Sequence, residues 1–272
     1  MGRSPVVTLL TDFGVTDAYV AAMKGVILTG CPDARLVDIS HEIPPQDVTV
    51  ASLVLRDAAP YFPAGTVHLA VIDPGVGTDR RAMIAAAGAH RFVGPDNGLF
   101  SEVIRALATE EQPAKYWDVS HSRVARPKRS HTFHGRDLFA PVAGALAQGA
   151  APEDLGPPMD DPIHSSAAAI VRTAEGLRGK VVAVDHFGNL TTNIGAGALA
   201  GCHRLEVTFP GRNTPPARGL YRTYQEGPTG EPMGLIGSSG YLEIAICQAS
   251  ASERMHIYRG DAVEVRLWER TP

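Results

Sequence analysis

Val6-Val7-Thr8-Leu9-Leu10 is a short apolar run with β-branched residues, and it predicts a buried strand near the start of the chain. Residues Ala18 to Thr29 then have helical character and end at Gly30, a residue type common just after helices. A second strand is predicted at Arg35 to Ile39. Strand, helix and strand in this order form a βαβ unit, which predicts an α/β fold with a parallel sheet covered by helices.

The same alternation continues through the first half of the chain. Further strands are predicted at Val67 to Ile72, near Met83 to Ala87 and near Arg91 to Val93. Helices are predicted at Val48 to Tyr61, with Asp47 as a plausible N-cap, and at Leu138 to Gln148. We therefore expect an α/β domain with a mostly parallel sheet over residues 1–165.

The chain changes character after a segment rich in Pro, Asp and Gly between Pro152 and Pro162. Short strand-like runs follow, with no helix of any length between them, at Gly179 to Val184, Arg204 to Phe209, Leu235 to Ile236, Tyr241 to Ile246 and Asp261 to Leu267. This pattern predicts a small antiparallel barrel or sandwich over residues 166–272.

Composition excludes several classes of protein. The 272 residues carry a formal net charge of -4, which does not provide the basic surface that nucleic acids require. No apolar run approaches the roughly 18 residues of a membrane span, and the apolar run at the N-terminus is too short for a signal peptide. Cys31, Cys202 and Cys247 are far apart and include no CxxC pair, so we expect a cytoplasmic protein without disulfides or a thiolate zinc site.

Polar residues follow two of the predicted strands, where ligands bind in open α/β sheets. Asp12 and Asp17 come after the first strand, and Asp73 and Arg80 come after the third. A carboxylate such as Asp12 could accept both hydroxyls of a ribose, although turn and N-cap roles explain such residues equally well. The segment matches neither the GxGxxG nor the P-loop pattern, so no dinucleotide or P-loop site is predicted.

Two further polar segments are candidates for chemistry. Ser130 to Pro141 contains His131 and His134, and a neutral imidazole is well suited to proton transfer near neutral pH, although a single His is more often structural. In the second half, the segment Asp185 to Asn193 and the segment from Gly237 to Leu242 adjoin predicted strands and could also be ordinary turns. No fixed-spacing set of ligands supports a metal site.

Taken in order, these segments resemble the S-adenosylmethionine hydroxide adenosyltransferase family, the hydrolytic relatives of the fluorinating and chlorinating enzymes. The resemblance spans nearly the whole chain. The motifs that carry it are TDFG-x-x-D, CPD with VDISHEI, DPGVGT-x-R-R, GPDNGL, TFHGRD-x-FAP, DHFGN-x-x-TNI and GYLEIA.

The resemblance implies hydrolysis of S-adenosyl-L-methionine at the ribose C5′ by water or hydroxide, giving adenosine and methionine. It implies no cofactor and no metal, because the sulfonium is already an activated leaving group. It also implies a Rossmann-like N-terminal domain, a C-terminal β-barrel and a homotrimer with active sites between subunits.

Residue roles follow from the same resemblance. Asp73, Arg80 and His134 correspond to the catalytic triad of the water-using branch, which the halogenating branch lacks. The substrate-binding residues are Asp12 for the ribose hydroxyls, Asp17 and Asp185 near the methionine ammonium, Ser238 for the amino-acid end, and Phe187 and Asn189 beside the adenine. The chain departs from the pattern at Ser239, where halogenating relatives carry an Arg, and at Cys247, where relatives usually carry an Asn.

Two questions stay open at this level. Either Asp73 or His134 could take the proton of the attacking water, and we prefer His134 oriented by Asp73. Two other functions are also compatible with the residues: a metal-dependent phosphoesterase-like hydrolase built on Asp12, Asp17, Asp73 and His134, and a non-catalytic sensor of adenosine or S-adenosylmethionine.

Overall fold

A computed structural model describes residues 4–165 and 170–269 of the chain. The chain forms two compact units, Met1–Ser165 and Ser166–Pro272. Together they make an α/β protein with two mixed sheets, one in each unit.

The first unit contains a seven-stranded sheet in the order β2-β1-β3-β5-β4-β6-β7. Its strands are β1 Val6–Thr11, β2 Arg35–Ser40, β3 Val67–Val71, β4 Ala82–Ala87, β5 His90–Pro95, β6 Lys115–Asp118 and β7 Pro158–Met159. Its helices are α1 Tyr19–Gly30, α2 Val48–Ala58, α3 Ser101–Leu107, α4 Ala140–Ala147 and α5 Pro152–Leu155.

The expectation of a mostly parallel sheet is only half right. The neighbours β2, β1, β3 and β5 pair in parallel, whereas β4, β6 and β7 are added in antiparallel. The reason lies in the chain connections. Only Gly88 and Ala89 separate β4 from β5, and a two-residue connection produces an antiparallel hairpin; Gly88 has the positive φ, 53°, that such a turn favours.

Both faces of this sheet are covered by helices. Val7 and Leu9 of β1 belong to the apolar cluster that includes α1 and α4, and Leu10 belongs to the cluster that includes α2 and α3. The alternation follows from the two-residue period of a strand. Because both faces are buried, the ends of the strands are where polar side chains reach solvent.

The predicted helices are present with shifted ends. Asp47 caps α2 as predicted, because its side chain accepts a hydrogen bond from Val50 N at 3.0 Å. Asp17 does not cap α1, whose N-cap position is Ala18. The segment predicted as one helix from Leu138 begins earlier, with a π-helical turn at Gly135–Phe139 that leads into α4.

The second unit contains one nearly closed, barrel-like sheet. Its strands are β8 Val171–Thr173, β9 Gly176–Val184, β10 Leu190–Gly195, β11 Cys202–Thr208, β12 Ala217–Arg218, β13 Leu220–Tyr221, β14 Pro232–Ile236, β15 Tyr241–Ile246 and β16 Ala262–Glu269. The described part of this unit also has a 3-10 helix at Ala196–Leu199 and a short α-helix, α6 Ala251–Met255. The order is β12-β11-β16-β9-β10-β15-β14-β13, and β8 pairs with β9. Among the described strands of this unit, only β13 and β14 pair in parallel.

Gly219 brings the two ends of this second sheet together. Its N–H donates to Leu205 O of β11 at 2.9 Å, and its carbonyl accepts from Gly234 N of β14 at 3.3 Å. These two bonds connect opposite ends of the strand order, so the sheet is nearly closed. In the described part of the chain, no helix has both the length and the apolar character needed to cross a membrane.

Candidate active site

Asp73 and Arg80 lie in the turn that follows β3. The turn is organised by backbone bonds from Val76 N to Asp73 O and from Thr78 N to Gly75 O. Before the turn, the side chain of Asn97 donates to Ile72 O at 2.9 Å and so holds the end of the strand. These contacts fix the position from which the Asp73 side chain leaves the sheet.

Asp73, Arg80 and His134 form one hydrogen-bonded cluster. The Nε of Arg80 donates to Asp73 Oδ1 at 2.8 Å, and its Nη2 donates to Asp73 Oδ2. The same Nη2 lies 2.8 Å from Nδ1 of His134. Arg80 therefore bridges the carboxylate and the imidazole.

This arrangement differs from the preferred sequence-based hypothesis, in which Asp73 orients His134. Among the contacts of the described residues, Arg80 stands between the two groups, and no direct hydrogen bond joins them. A guanidinium has several donors in one plane, so it can bind both groups at once. The family resemblance implied that Arg80 belongs to the same site but not which groups it contacts.

The contact with Arg80 also assigns the tautomer of His134. Because a guanidinium only donates, Nδ1 must accept, and the ring hydrogen is assigned to Nε2. Partial burial lowers the pKa of His134, and the positive charges of Arg80 and Arg129 lower it further against the opposing charges of Asp73 and Asp137. The imidazole is thereby kept neutral near pH 7.

The loop that carries His134 is held by a buried carboxylate. Asp137 is fully buried, accepts from Ser130 N at 2.8 Å, and is paired with Arg136 at 2.7 Å. Across the loop, Gly77 has φ of 80°, and a Cβ there would lie 2.7 Å from the carbonyl oxygen of His131. The Asp73 turn and the His134 loop thus pack closely enough to require glycine at 77.

Asp12 lies in the loop after β1. Its Oδ2 accepts a hydrogen bond from Gln46 N at 2.7 Å. Gln46 has φ of 64°, an uncommon conformation for a residue other than glycine, and such strain is concentrated at functional sites. The Gln46 contribution was not predicted, because a sequence does not reveal a positive φ at Gln.

A cavity of about 350 Å³ within the first unit brings these residues together. Asp12, Asp73 and His134 line it. The aromatic rings of Phe13, Tyr19 and Phe133 form an adjoining wall, with ring centroids 5.1 to 6.1 Å apart. Asp17 is not among the lining residues and is exposed at the turn before α1.

A second cavity, of about 730 Å³, lies within the second unit. The four predicted substrate-binding residues of that unit line it: Asp185, Phe187, Asn189 and Ser238. Asp185 organises the loop before β10, because its Oδ1 accepts from Phe187 N and Asn189 N, and its Oδ2 accepts from the Asn189 side chain. The ring of Phe187 is 75% exposed, so it is available as a stacking surface.

Glu243 and Tyr224 also line this cavity, and the sequence reasoning did not identify either of them. Glu243 of β15 is buried and accepts a hydrogen bond from the hydroxyl of Tyr224 at 2.7 Å. Burial raises the pKa of Glu243, and the charge of Asp185 adds to the increase against the bond from Tyr224. An inward-facing carboxylate within the motif GYLEIA was the available signal. Cys247, one of the departures from the family pattern, also lines the cavity.

No metal centre is recognisable among the described residues. They contain no group of three or more His, Cys, Asp and Glu side chains placed to hold an ion. Of the four residues considered for a metal, Asp73 has both oxygens bonded to Arg80, and Asp17 lies outside the cavity.

This two-unit α/β protein therefore carries a carboxylate–guanidinium–imidazole cluster beside a cavity of its first unit. Residues 7–156 match the SAM hydroxide adenosyltransferase N-terminal domain, and residues 179–264 match the C-terminal domain of the same family. The chain belongs to the SAM hydroxide adenosyltransferase family.

Similarity to individual proteins extends over nearly the whole chain. A Thermus thermophilus protein named (R)-S-adenosyl-L-methionine hydrolase is 40% identical, with 96% of this chain and 98% of the relative covered. A Nocardia brasiliensis protein named fluorinase is 30% identical, with 98% of each covered. A crystal structure of an uncharacterized conserved protein from Thermotoga maritima superimposes with a TM-score of 0.84 at 32% identity, covering 96% of this chain and 99% of the other.

Proposed function

We propose that this protein hydrolyses S-adenosyl-L-methionine, releasing adenosine and L-methionine. The observation that carries the proposal is that Asp73 and His134 line one cavity together with Asp12 and that Arg80 binds both of them. Family membership supports the substrate, and relatives named (R)-S-adenosyl-L-methionine hydrolase point to the (R) configuration at sulfur.

The reaction is a displacement at C5′. A bond forms between the water oxygen and C5′, the bond from C5′ to sulfur breaks, and its electron pair leaves with sulfur. The leaving group is a neutral thioether, so it needs no proton from the enzyme. The enzyme must hold the oxygen in line with the breaking bond, and such positioning can contribute several kcal/mol.

The hydrogen bonds of the cluster favour Asp73 as the group that takes the proton. Nδ1 of His134 is occupied by Arg80 and Nε2 carries the hydrogen, so in this arrangement the imidazole offers the cavity a donor. Asp73 uses one lone pair of each oxygen for Arg80 and keeps the other lone pairs. We therefore assign Asp73 as base and His134 as the donor that orients the water.

Arg80 provides charge as well as geometry. Its positive charge favours a hydroxide-like oxygen at the cluster and balances the carboxylate beside it. Reaction of an anion with a cation is faster where few water molecules solvate either, so a partly closed cavity suits this chemistry. The aromatic wall of Phe13, Tyr19 and Phe133 is suited to attract a sulfonium cation.

Substrate binding is divided between the units in this proposal. Asp12 accepts the ribose hydroxyls in the first unit, and Asp17 approaches the methionine ammonium. In the second unit, Phe187 and Asn189 flank the adenine, while Asp185 and Ser238 bind the amino-acid end. The grouping of the last four residues around one cavity supports this division.

The proposal includes the assembly and the cellular setting. We propose a homotrimer in which the Rossmann-like first unit of one subunit and the β-barrel second unit of a neighbour complete each active site. The cysteines Cys31, Cys202 and Cys247 are free, which is compatible with the reducing cytoplasm that we propose.

One assay tests the function. Purified protein is incubated separately with the (R) and (S) sulfonium forms of S-adenosyl-L-methionine, and adenosine and methionine are followed by chromatography. We expect equal amounts of both products, faster from the (R) form, and unchanged rates after exhaustive chelation. Binding without turnover would favour the sensor, and a strict requirement for a divalent cation would favour the metal-dependent hydrolase.

A further inference from the structure

His41 lies directly after β2 and is only 5% exposed. Its Nδ1 is 2.8 Å from the hydroxyl oxygen of Thr11, and its Nε2 is 3.1 Å from Asp38 Oδ1. The second contact is bent away from an ideal hydrogen bond but is close enough for an electrostatic interaction. The carbonyl of His41 accepts from Gly14 N at 2.8 Å.

The neighbouring charges indicate which atom donates and which accepts in each of these contacts. Asp38 is paired with Lys24 at 2.6 Å, and although partial burial opposes it, the bond from Lys24 and the close contact with His41 lower the pKa of Asp38. A carboxylate beside Nε2 favours the tautomer with hydrogen at that position, so Nδ1 accepts and Thr11 donates. The Thr11 oxygen in turn accepts from Phe13 N at 3.3 Å.

The chain of contacts ends on both sides of Asp12. Thr11 and Phe13 are its neighbours, and Gly14 is bonded to the His41 carbonyl. The carboxylate itself is held at Oδ2 by Gln46 N. The loop is thus fixed by its backbone, and among the described residues no hydrogen bond is made to Asp12 Oδ1, which is available to a ligand.

We propose that His41 is a positioning residue for ribose recognition, because it fixes the loop that presents Asp12 to two adjacent hydroxyl groups. The inference rests on the proposed function, in which Asp12 binds the ribose. A carboxylate held in place before binding loses less freedom when it accepts two hydroxyls, and the benefit is largest for a ligand that offers both.

The test compares adenosine with 2′-deoxyadenosine, which lacks one of the two hydroxyls. Dissociation constants of both are measured by calorimetry for the wild type, His41→Leu and His41→Asn. We expect the wild type to prefer adenosine, and His41→Leu to reduce that preference by about five- to tenfold, in line with the loss of one well-placed hydrogen bond. His41→Asn should retain most of it, because an amide oxygen can accept from Thr11.

Kinetics with S-adenosyl-L-methionine give a second readout. The KM of His41→Leu should rise by a similar factor, with kcat changing much less, because the groups at C5′ are unaltered. His121→Leu, which changes an exposed histidine of the same unit, is the matched control and should leave both constants unchanged.

Two outcomes overturn the inference: an unchanged preference for adenosine in His41→Leu, or an equal loss of affinity for both nucleosides. If His41→Leu does not fold, Thr11→Val interrupts the same chain of contacts and should give the same reduced preference. Failure of the proposed function is a separate result, seen when the wild type binds nucleosides but releases no adenosine from S-adenosyl-L-methionine.

Discussion

Arg80 shows how one side chain can organise a site through the geometry of its donors. It binds both oxygens of Asp73 and the imidazole of His134, and its guanidinium lies 5.2 Å from the ring centre of Phe139. A lysine has the same charge but no planar set of donors. The identity of this residue therefore matters beyond its charge.

Arg80→Lys should lower kcat/KM by about a hundredfold, because one ammonium group cannot hold both Asp73 and His134 in place. Steady-state kinetics measure the loss. Arg178→Lys, in a surface ion pair with Glu264, is the matched control. Retention of more than half of the activity in Arg80→Lys would show that charge alone is sufficient.

His134 should impose an acid limb on the pH profile. Burial and Arg80 lower its pKa, so activity should be complete above the ordinary value of 6.5 and decrease as the pH falls through the lowered pKa. The reason is that protonation places a hydrogen on Nδ1, where Arg80 already donates. His134→Ala should lower kcat by about a hundredfold and remove this limb.

His131→Ala changes an exposed histidine of the same loop and is the control for His134→Ala. It should keep the turnover and the pH profile of the wild type. Wild-type turnover in His134→Ala would remove His134 from the mechanism.

At the scale of elements, the beginnings of β1, β3 and β5 share a buried polar row. Thr8 Oγ1 lies 2.8 Å from His68 Nδ1, and His68 Nε2 lies 3.2 Å from His90 Nδ1. The ring of His68 stacks on Phe92 at 5.0 Å. Burial, with a contribution from His90, lowers the pKa of His68 to about 3.

The folding stability should therefore decrease at acid pH. An unfolded His68 takes a proton near pH 6.5, whereas the folded one resists it until about pH 3, so its contribution is complete above 6.5 and is lost as the pH falls. The expected loss by pH 4 is on the order of 3 kcal/mol. Denaturant titrations between pH 7 and 4 measure it.

His68→Gln keeps a polar group in this row but does not titrate, so its stability should depend less on pH over the same range. An identical slope in wild type and variant would mean that other groups cause the acid sensitivity. His121→Gln, at an exposed position, should leave the wild-type slope unchanged.

Sequence periodicity predicted α1 and α2 within a few residues, because each has a continuous helical pattern with recognisable ends. It missed the π-helical turn at Gly135–Phe139, since the apolar spacing of one turn does not distinguish helix types. It also overstated the parallel character of the first sheet, because pairing direction depends on connections as short as Gly88 and Ala89.

At the scale of the whole molecule, the proposed substrate contacts are distributed over two cavities, one in each unit. If neighbouring subunits supply the two halves of each site, two variants with defects in different units should complement each other. Closed homo-oligomers with shared sites make such complementation possible.

Co-expression of Asp73→Asn with Asn189→Ala should restore about a quarter of wild-type activity. Half of the chains have an intact first unit and the other half have an intact second unit, so random assembly places both at about one site in four. Each variant alone should be nearly inactive. Sedimentation velocity should give the mass of a trimer. The control pair, Asp73→Asn with Asp12→Asn, places both defects in the first unit and should restore nothing. Zero recovery in the first pair would assign each site to a single chain.

The α/β character of the first half, the barrel-like character of the second and the family motifs could all be predicted from the sequence. These features are local, since periodicity, turn residues and short motifs are all written along the chain. Three features became visible only in the folded chain: Arg80 lies between Asp73 and His134, Gln46 holds Asp12, and Glu243 faces a cavity. Such contacts join residues far apart in sequence, and their geometry depends on how the strands and loops pack.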